Sequence, residues 1–193
     1  MAHRQLTGVL LVGGASSRYG SPKALVELDG ETLADRGRRV LAAACDEVLV
    51  VGKPGELPFD VLDDGSEVRA PIAGVVAGLR AAAHDVTVVL PVDCPRVTPE
   101  VLRALGEACR DAAVPPSGPL PGAWAKSALP LLEARLARGP YALYRTYDEL
   151  DVVTVPVDPA LLVDVDVPSD LAALRTPAAP ASSAADRDRS SNG

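Results

Sequence analysis

The feature that most constrains the fold is a run of mostly Val and Leu near the start of the chain, which stops at two glycines. Residues Leu6–Val12 read LTGVLLV, and Gly13 and Gly14 follow them. Strands that are buried on both faces of a parallel sheet have such nearly continuous apolar runs. The run therefore predicts a central parallel strand that leads directly into a loop.

The rest of the 193-residue chain alternates between patterns typical of strands and patterns typical of helices. Further strands are predicted at residues 47–51, 60–62, 86–92, 112–114 and 152–155. Helices are predicted from the cap residue Thr32 to about Ala44 and at residues 72–83, 98–110, 126–138, 141–150 and 168–174. This alternation predicts an α/β fold, a single Rossmann-like domain over residues 1–175 whose mostly parallel sheet has helices on both faces. Residues 176–193 are rich in Ala, Ser and Pro, which predicts a disordered C-terminal tail.

Charge and cysteine content exclude several classes of protein. The net charge of −7 argues against a nonspecific nucleic-acid binder, which needs many Lys and Arg side chains, but leaves room for a nucleotide pocket. Three cysteines with no Cys-x-x-Cys spacing argue against a disulfide framework or a zinc site. No apolar run approaches the ~20 residues of a membrane span, and no signal-peptide pattern is visible. We expect a cytoplasmic monomer or weak oligomer.

The glycine loop has the composition of an anion-binding site. Successive backbone N–H groups at Gly13 and Gly14 can form a concavity for phosphate, and Arg18 and Lys23 add two cations. The spacing fits neither the P-loop nor the Gly-x-Gly-x-x-Gly dinucleotide motif. The pattern favours a nucleoside triphosphate as ligand, and the alternative is a surface connection in which the glycines only turn the chain.

Acidic residues follow two other segments that we expect near the same edge of the sheet. Asp93 comes directly after the apolar run 86–92, where it is a candidate Mg²⁺ ligand or a cap of the next turn. Asp164 and Asp166 alternate within VDVDVP, which places both side chains on one side of an extended segment. They are either metal ligands or solvated acids at a strand end. Cys94 follows Asp93, but nothing argues for a lowered thiol pKa, so we predict no nucleophile there.

The stretch LLVGGASSRYGSPKALVEL resembles the signature of molybdenum-cofactor guanylyltransferases and their MobA-like relatives. That signature reads Leu-Ala-Gly-Gly-x-Ser-x-Arg-Met-Gly-x-x-Lys, and Val12 and Tyr19 stand here at its Ala and Met. The resemblance covers roughly residues 6–175. It implies a nucleotide-diphospho-sugar-transferase-like fold and a Mg²⁺-dependent transfer of GMP from GTP to molybdopterin, a small-molecule acceptor.

The same resemblance implies roles for individual residues. The catalytic residues would be Arg18, Lys23 and Asp93, and the metal ligands Asp93 and Asp166. The nucleotide would be bound by Leu11, Val12, Gly13, Gly14, Lys23, Asp64 and Asp93. If the alignment with the family were shifted by one residue, Asp63 would take the nucleotide-binding role of Asp64. At the position of Asp164 the family carries an Asn. Residues 70–74 resemble the family's next helix start without its first glycine.

Two further hypotheses remain open at this stage. Many family members carry a Gln and a His on the acceptor side, and both are missing from PPSGPLPGAWAKSALPLL at residues 115–132. A cytidylyltransferase, or another nucleotidyltransferase acting on a different phosphorylated molecule, is therefore the first alternative. The second is a non-catalytic nucleotide-binding or interaction domain. His3 and His84 have no Ser or Cys partner in the pattern, so no catalytic triad is predicted.

Overall fold

A computed structural model describes residues 4–13, 22–53 and 57–174 of the chain. In chain order its strands and α-helices are β1 (Leu6–Leu11), β2 (Glu27–Leu28), β3 (Glu31–Thr32), α1 (Leu33–Ala44), β4 (Glu47–Gly52), β5 (Leu62–Asp63), α2 (Pro71–Ala81), β6 (Val86–Pro91), α3 (Pro99–Ala108), β7 (Ala112–Val114), β8 (Gly122–Ala125), α4 (Leu129–Arg138), β9 (Val152–Thr154) and α5 (Pro168–Leu174). The predicted tail at 176–193 lies outside the described residues, as do Gly14 and Arg18.

Seven of the strands form one sheet in the order β5-β4-β1-β6-β8-β7-β9. The strands β5, β4, β1 and β6 are parallel to one another, and β1 pairs along its length with β4 and β6. Only β8 among the described strands of this sheet runs antiparallel to its neighbours. The prediction of a mostly parallel sheet around a buried first strand is confirmed.

The side chains of β1 point alternately to two hydrophobic cores, one on each face of the sheet. Leu6 and Leu10 pack in a cluster with buried residues of α1 and α3. Val9 and Leu11 pack in a second cluster with residues of α2 and α4. The predicted layers of helices on both faces are therefore present, and the central strands are buried between them.

The main error of the sequence-based prediction concerns β8. The Pro- and Gly-rich residues 115–123 have a composition typical of a loop, but Gly122–Ala125 form a buried strand and Trp124 is fully buried in the second core. A Cβ at Gly122 would lie 2.4 Å from the Pro119 carbonyl oxygen, so only glycine fits there. Gly and Ala have low β-propensity, and the neighbouring prolines are typical of loops. The local sequence therefore does not indicate strand β8.

Smaller differences concern boundaries and turns. The hairpin of β2 and β3 was not predicted, although Asp29 and Gly30 supply the two positive φ angles, 54° and 80°, that a type I′ turn requires. The third predicted strand is shifted to Leu62–Asp63, and the helix predicted at 141–150 is a 3₁₀-helix, Leu143–Glu149. The predicted cap of α1 is confirmed, since the Thr32 side chain accepts a hydrogen bond from the Asp35 N–H. Among the described helices, none combines the length and the apolar character needed to cross a membrane.

Candidate active site

The carboxyl ends of β1, β4 and β6 meet at one edge of the sheet and carry the candidate functional residues. Backbone hydrogen bonds join Val12 to Val51 at 3.0 Å and Val92 to Leu11 at 3.0 Å. The three strand ends are thereby fixed next to one another. Ligands of open α/β sheets bind at this edge.

Gly52 allows the end of β4 to contact the beginning of the glycine loop. A Cβ at Gly52 would lie 2.9 Å from Val12 Cγ2, closer than real Cβ atoms pack, and 3.0 Å from the Gly13 nitrogen, tighter than most real Cβ contacts. A Cβ at Gly13 would instead meet only the Gly52 Cα, at the ordinary distance of 3.7 Å. The packing of the described residues therefore requires glycine at 52 but not at 13.

This contrast gives a test of whether Gly13 serves a ligand. We expect Gly52→Ala to lower the free energy of unfolding by about 1–3 kcal/mol, because its Cβ overlaps backbone that cannot move aside easily. Gly13→Ala should change it by no more than about 0.5 kcal/mol, yet weaken triphosphate binding about tenfold or more by blocking close approach to the backbone. Chemical denaturation and calorimetric titration measure the two effects. Equal triphosphate affinity of wild type and Gly13→Ala would exclude a phosphate cradle at this position.

Lys23 joins the segment after the glycine loop to two of the acidic residues. It begins a 3₁₀-helix, Lys23–Leu25, which Ala24 anchors in the core. Its Nζ lies 3.4 Å from Asp93 Oδ2 and 3.2 Å from Asp166 Oδ1, and only 14% of its side chain is exposed. The sequence-predicted residues Lys23, Asp93 and Asp166 are thus brought together.

The charge state of Lys23 follows from these contacts. Burial alone lowers the pKa of its ammonium group, but the charge of Asp93 and the hydrogen bond to Asp166 outweigh burial, so that the pKa is raised above 10.5. A raised lysine pKa means that the stabilisation from the Lys23 charge is not limited by lysine ionisation below about pH 10.5 and is lost as the pH rises through the folded-state pKa. Lys23 therefore presents a positive charge at this edge throughout the physiological range.

A second cluster consists of Asp93, Cys94 and Asp164. Their ligand atoms all lie within 4.8 Å of one another. The Asp93 carbonyl accepts a hydrogen bond from the Val165 N–H at 2.8 Å, and this bond holds the two acidic segments side by side. Val165 is fully buried while Asp164 and Asp166 are exposed, so the predicted alternation of this segment is present.

Negative charge is crowded at this cluster. Partial burial raises the pKa of the Asp164 carboxyl group; the hydrogen bond from Cys94 lowers it, but the charges of Asp93 and Asp166 raise it further, leaving a net increase. Burial and the neighbouring carboxylates also raise the pKa of the Cys94 thiol, which disfavours the nucleophilic thiolate. A bound cation would relieve this repulsion.

The two predicted metal ligands share the contact with Lys23 but differ in their other neighbours. Asp93 also belongs to the cluster with Cys94 and Asp164, whereas the side chain of Asp166 is 67% exposed. The side chain of Asp170 accepts hydrogen bonds from the backbone N–H groups of Asp166 and Val167. These bonds hold the backbone of Asp166 at the start of α5, while its carboxylate remains accessible.

Asp64 lies at the same edge, beside the end of β4. Its N–H donates to the Gly52 carbonyl at 3.2 Å, and its carboxylate contacts Lys53 Nζ at 2.8 Å with its side chain 14% exposed. The Asp63 side chain, in contrast, is 53% exposed. These positions favour Asp64 over Asp63 as the residue next to the glycine loop.

The beginning of α2 completes this edge. The side chain of its cap residue, Ala70, forms no hydrogen bond with the helix, and no acidic residue occupies the first turn. A Cβ at Gly74 would lie 2.6 Å from Leu11 Cδ2, so α2 packs closely against the end of β1. Pro71 has no N–H and the Ala73 N–H donates to the Ala70 carbonyl at 3.1 Å, so the first turn of α2 offers little to an anion beyond the Ile72 N–H.

Sequence reasoning did not name two of these residues as part of a site. Lys53 directly follows β4, and its position at a strand end was the available signal. Cys94 was considered only as a nucleophile, although it is adjacent to Asp93 and its Sγ lies 3.2 Å from Asp164 Oδ1. Its role as a possible metal ligand required the fold, because Asp164 is 70 residues away in the chain.

Comparison with known proteins agrees with this arrangement. Residues 8–152 match the family model described as the MobA-like NTP transferase domain. A probable molybdenum cofactor guanylyltransferase from Deinococcus radiodurans is 35% identical over 181 residues, covering 88% of this chain and 93% of the relative. A protein of the same description from Chloroflexus aggregans is 33% identical over 129 residues, which span 62% of each chain.

Solved structures include a similar fold. The molybdopterin-guanine dinucleotide biosynthesis protein A from Archaeoglobus fulgidus aligns with a TM-score of 0.73 at 27% sequence identity. The alignment covers 86% of this chain and 95% of that protein. The overall fold is therefore shared with that protein over most of both chains.

Proposed function

The chain belongs to the MobA-like NTP transferase family, and from this premise we propose that it transfers GMP from GTP to the phosphate of molybdopterin. The observation that carries the proposal is the contact of Lys23 with Asp93 at 3.4 Å, next to the strand end that leads into the glycine loop. A cation and a carboxylate at this edge support the binding of a triphosphate there. The names of the relatives supply the guanine base and the molybdopterin acceptor.

The reaction needs no covalent intermediate with the protein. An oxygen of the acceptor phosphate attacks the α-phosphorus of GTP, and the bond from that phosphorus to the bridging oxygen breaks. The electron pair leaves with pyrophosphate. Catalysis then consists of positioning the two substrates and stabilising the charge that moves onto pyrophosphate.

The residues of the site divide these tasks. Backbone N–H groups of Gly13 and Gly14 hold phosphate oxygens, and Lys23 and Arg18 stabilise the charge of the leaving pyrophosphate. Leu11 and Val12 position the loop at the end of β1. Asp64, held by Lys53, binds the nucleoside part of the substrate from the end of β5.

The acidic residues fit a divalent cation. Mg²⁺ is bound in nucleotide sites by one or two carboxylates together with phosphate oxygens and waters. Asp93 would hold it, with Asp166 as the second carboxylate, and the ion would neutralise charge on the reacting phosphates. The crowding of acidic groups supports a cation at this edge, since ligand atoms of Asp93, Cys94 and Asp164 all lie within 4.8 Å of one another.

Removing one of these charges should stabilise the cation-free protein. In Asp164→Asn the disfavoured carboxylate is lost, while an oxygen remains to accept the Cys94 hydrogen bond. We expect the free energy of unfolding near neutral pH to rise by about 0.5 kcal/mol, a small value because the group is partly exposed. Since the folded-state pKa is raised, the gain should disappear as the pH falls toward 3.8. Thermal unfolding with a chelator measures it; a loss of stability at neutral pH would mean that Asp164 is not repelled by its neighbours.

The direct test is product formation. Purified protein with GTP, MgCl₂ and molybdopterin should yield guanylylated molybdopterin and an equal amount of pyrophosphate. Parallel reactions with CTP should yield little product. Product from CTP but not from GTP would assign the chain to cytidylyl transfer, and no product from any triphosphate would refute the proposal.

A further inference from the structure

The thiol of Cys94 lies next to the acidic residues, in a position from which it could bind the same cation. Its Sγ lies 3.2 Å from Asp164 Oδ1 and 3.8 Å from Asp93 Oδ1. In a tetrahedral zinc site, metal–sulfur and metal–oxygen bonds of about 2.3 and 2.1 Å place sulfur and oxygen ligands about 3.6 Å apart. The two observed separations lie on either side of this value, so one small cation can contact all three atoms after slight movement.

The backbone holds these ligands in place before any cation binds. The Cys94 N–H donates to the Pro91 carbonyl at 3.2 Å, and the Asp93 carbonyl accepts from Val165 at 2.8 Å. Cys94 is only 5% exposed and belongs to the same core cluster as Val165. The thiol is therefore shielded from most solvent, and it is directed toward the two carboxylates.

We propose that Cys94 is a third ligand of the cation site and that the set Asp93, Cys94 and Asp164 binds zinc-class cations more tightly than Mg²⁺. The proposal rests on the proposed function, which assigns the ordinary divalent cation to Asp93. Thiolate sulfur favours soft cations such as Zn²⁺ and Cd²⁺, whereas Mg²⁺ selects oxygen ligands. On binding, the thiol loses its proton to solvent and its sulfur forms a bond to the cation, so one proton is released per ion.

The consequence is competition at Asp93. A zinc-class ion bound by the three residues uses the carboxylate that the Mg²⁺–nucleotide complex needs. We therefore expect Zn²⁺ to inhibit transfer at concentrations well below that of the activating Mg²⁺. The chain would then be active only while free zinc is low.

Titration of the full chain with CdCl₂ tests the assignment without relying on activity. Cadmium bound to thiolate has an ultraviolet charge-transfer band, which we expect to reach its limit at one ion per chain. In Cys94→Ser the band should disappear and the Cd²⁺ affinity should fall about tenfold or more. The matched control is Cys109→Ser, which removes a similarly buried thiol that donates to the Arg110 backbone carbonyl.

The outcomes separate clearly. No band in the wild type, or a band that survives in Cys94→Ser, overturns the proposal. If Cys94→Ser does not fold, calorimetric titration of the wild type in two buffers of different ionisation enthalpy decides: one proton released per Cd²⁺ supports a thiolate ligand, and none refutes it. A separate titration with Mg²⁺ and GTP tests the proposed function. A cadmium band without GTP binding would support the proposed cation site and refute the proposed nucleotidyl transfer.

Discussion

Lys23→Ala is expected to reduce guanylyl transfer by about a thousandfold, because the substitution removes the cation that stabilises charge on the leaving pyrophosphate. The ammonium group also lies between the carboxylates of Asp93 and Asp166, at 3.4 and 3.2 Å. Its loss leaves these negative charges facing the triphosphate. Both effects oppose the reaction, and steady-state pyrophosphate release measures their sum.

Lys126→Ala is the matched control for this substitution. It removes the same charge, but Lys126 follows β8, whose last residue pairs with Val86 at the amino end of β6. The residue therefore lies at the edge of the sheet opposite the candidate site, and its loss should alter turnover by less than about twofold. A Lys23→Ala enzyme with near-normal turnover would remove Lys23 from the catalytic residues.

Asp93→Asn should have an effect of similar size on turnover, about a thousandfold, and should also weaken the magnesium-dependent part of GTP binding. The carboxylate lies directly after β6, within reach of Lys23 and of the Cys94 and Asp164 ligand atoms. An amide of the same shape keeps the packing but removes the charge that holds a cation. Titration with GTP in the presence and absence of Mg²⁺ separates this effect from a change in folding.

The control for Asp93 lies at the other end of the same strand. Asp85 directly precedes β6 and is exposed at the amino edge of the sheet. Asp85→Asn should leave both turnover and the effect of Mg²⁺ close to those of the wild type. If Asp93→Asn retained the full effect of Mg²⁺ on GTP binding, the metal would have to be held by other residues.

The central strands were predictable because their sequences meet one dominant requirement. β1 and β6 are buried on both faces, so most of their positions are Val or Leu, and the apolar runs indicate them directly. β8 lies in the same sheet, but three of its four residues are Gly or Ala beside prolines, and its packing depends on the close approach of Pro119 to Gly122. Such packing is decided by tertiary contacts that a local pattern does not contain.

The sequence predicted those residues of the candidate site that lie close to the ends of predicted strands. Lys23, Asp93 and Asp166 were named from the sequence, and the fold brings them within ion-pair distance. The position of Cys94 between Asp93 and Asp164 was not foreseen, because it depends on a hydrogen bond between segments about 70 residues apart. The roles of Gly14 and Arg18, which lie outside the described residues, remain predictions of the family resemblance.

Calorimetric titration of the protein with GTP, CTP, ATP and UTP, each with Mg²⁺ and then with a chelator, is the most direct test of a nucleotide site at this edge. We expect binding of GTP alone, and only with Mg²⁺, because Asp93 and its neighbours need a cation before they accept a triphosphate. Selective binding of another triphosphate would retain the chemistry and change the product. Binding of none of the four would contradict the central claim that this edge of the sheet is a nucleotidyltransferase site.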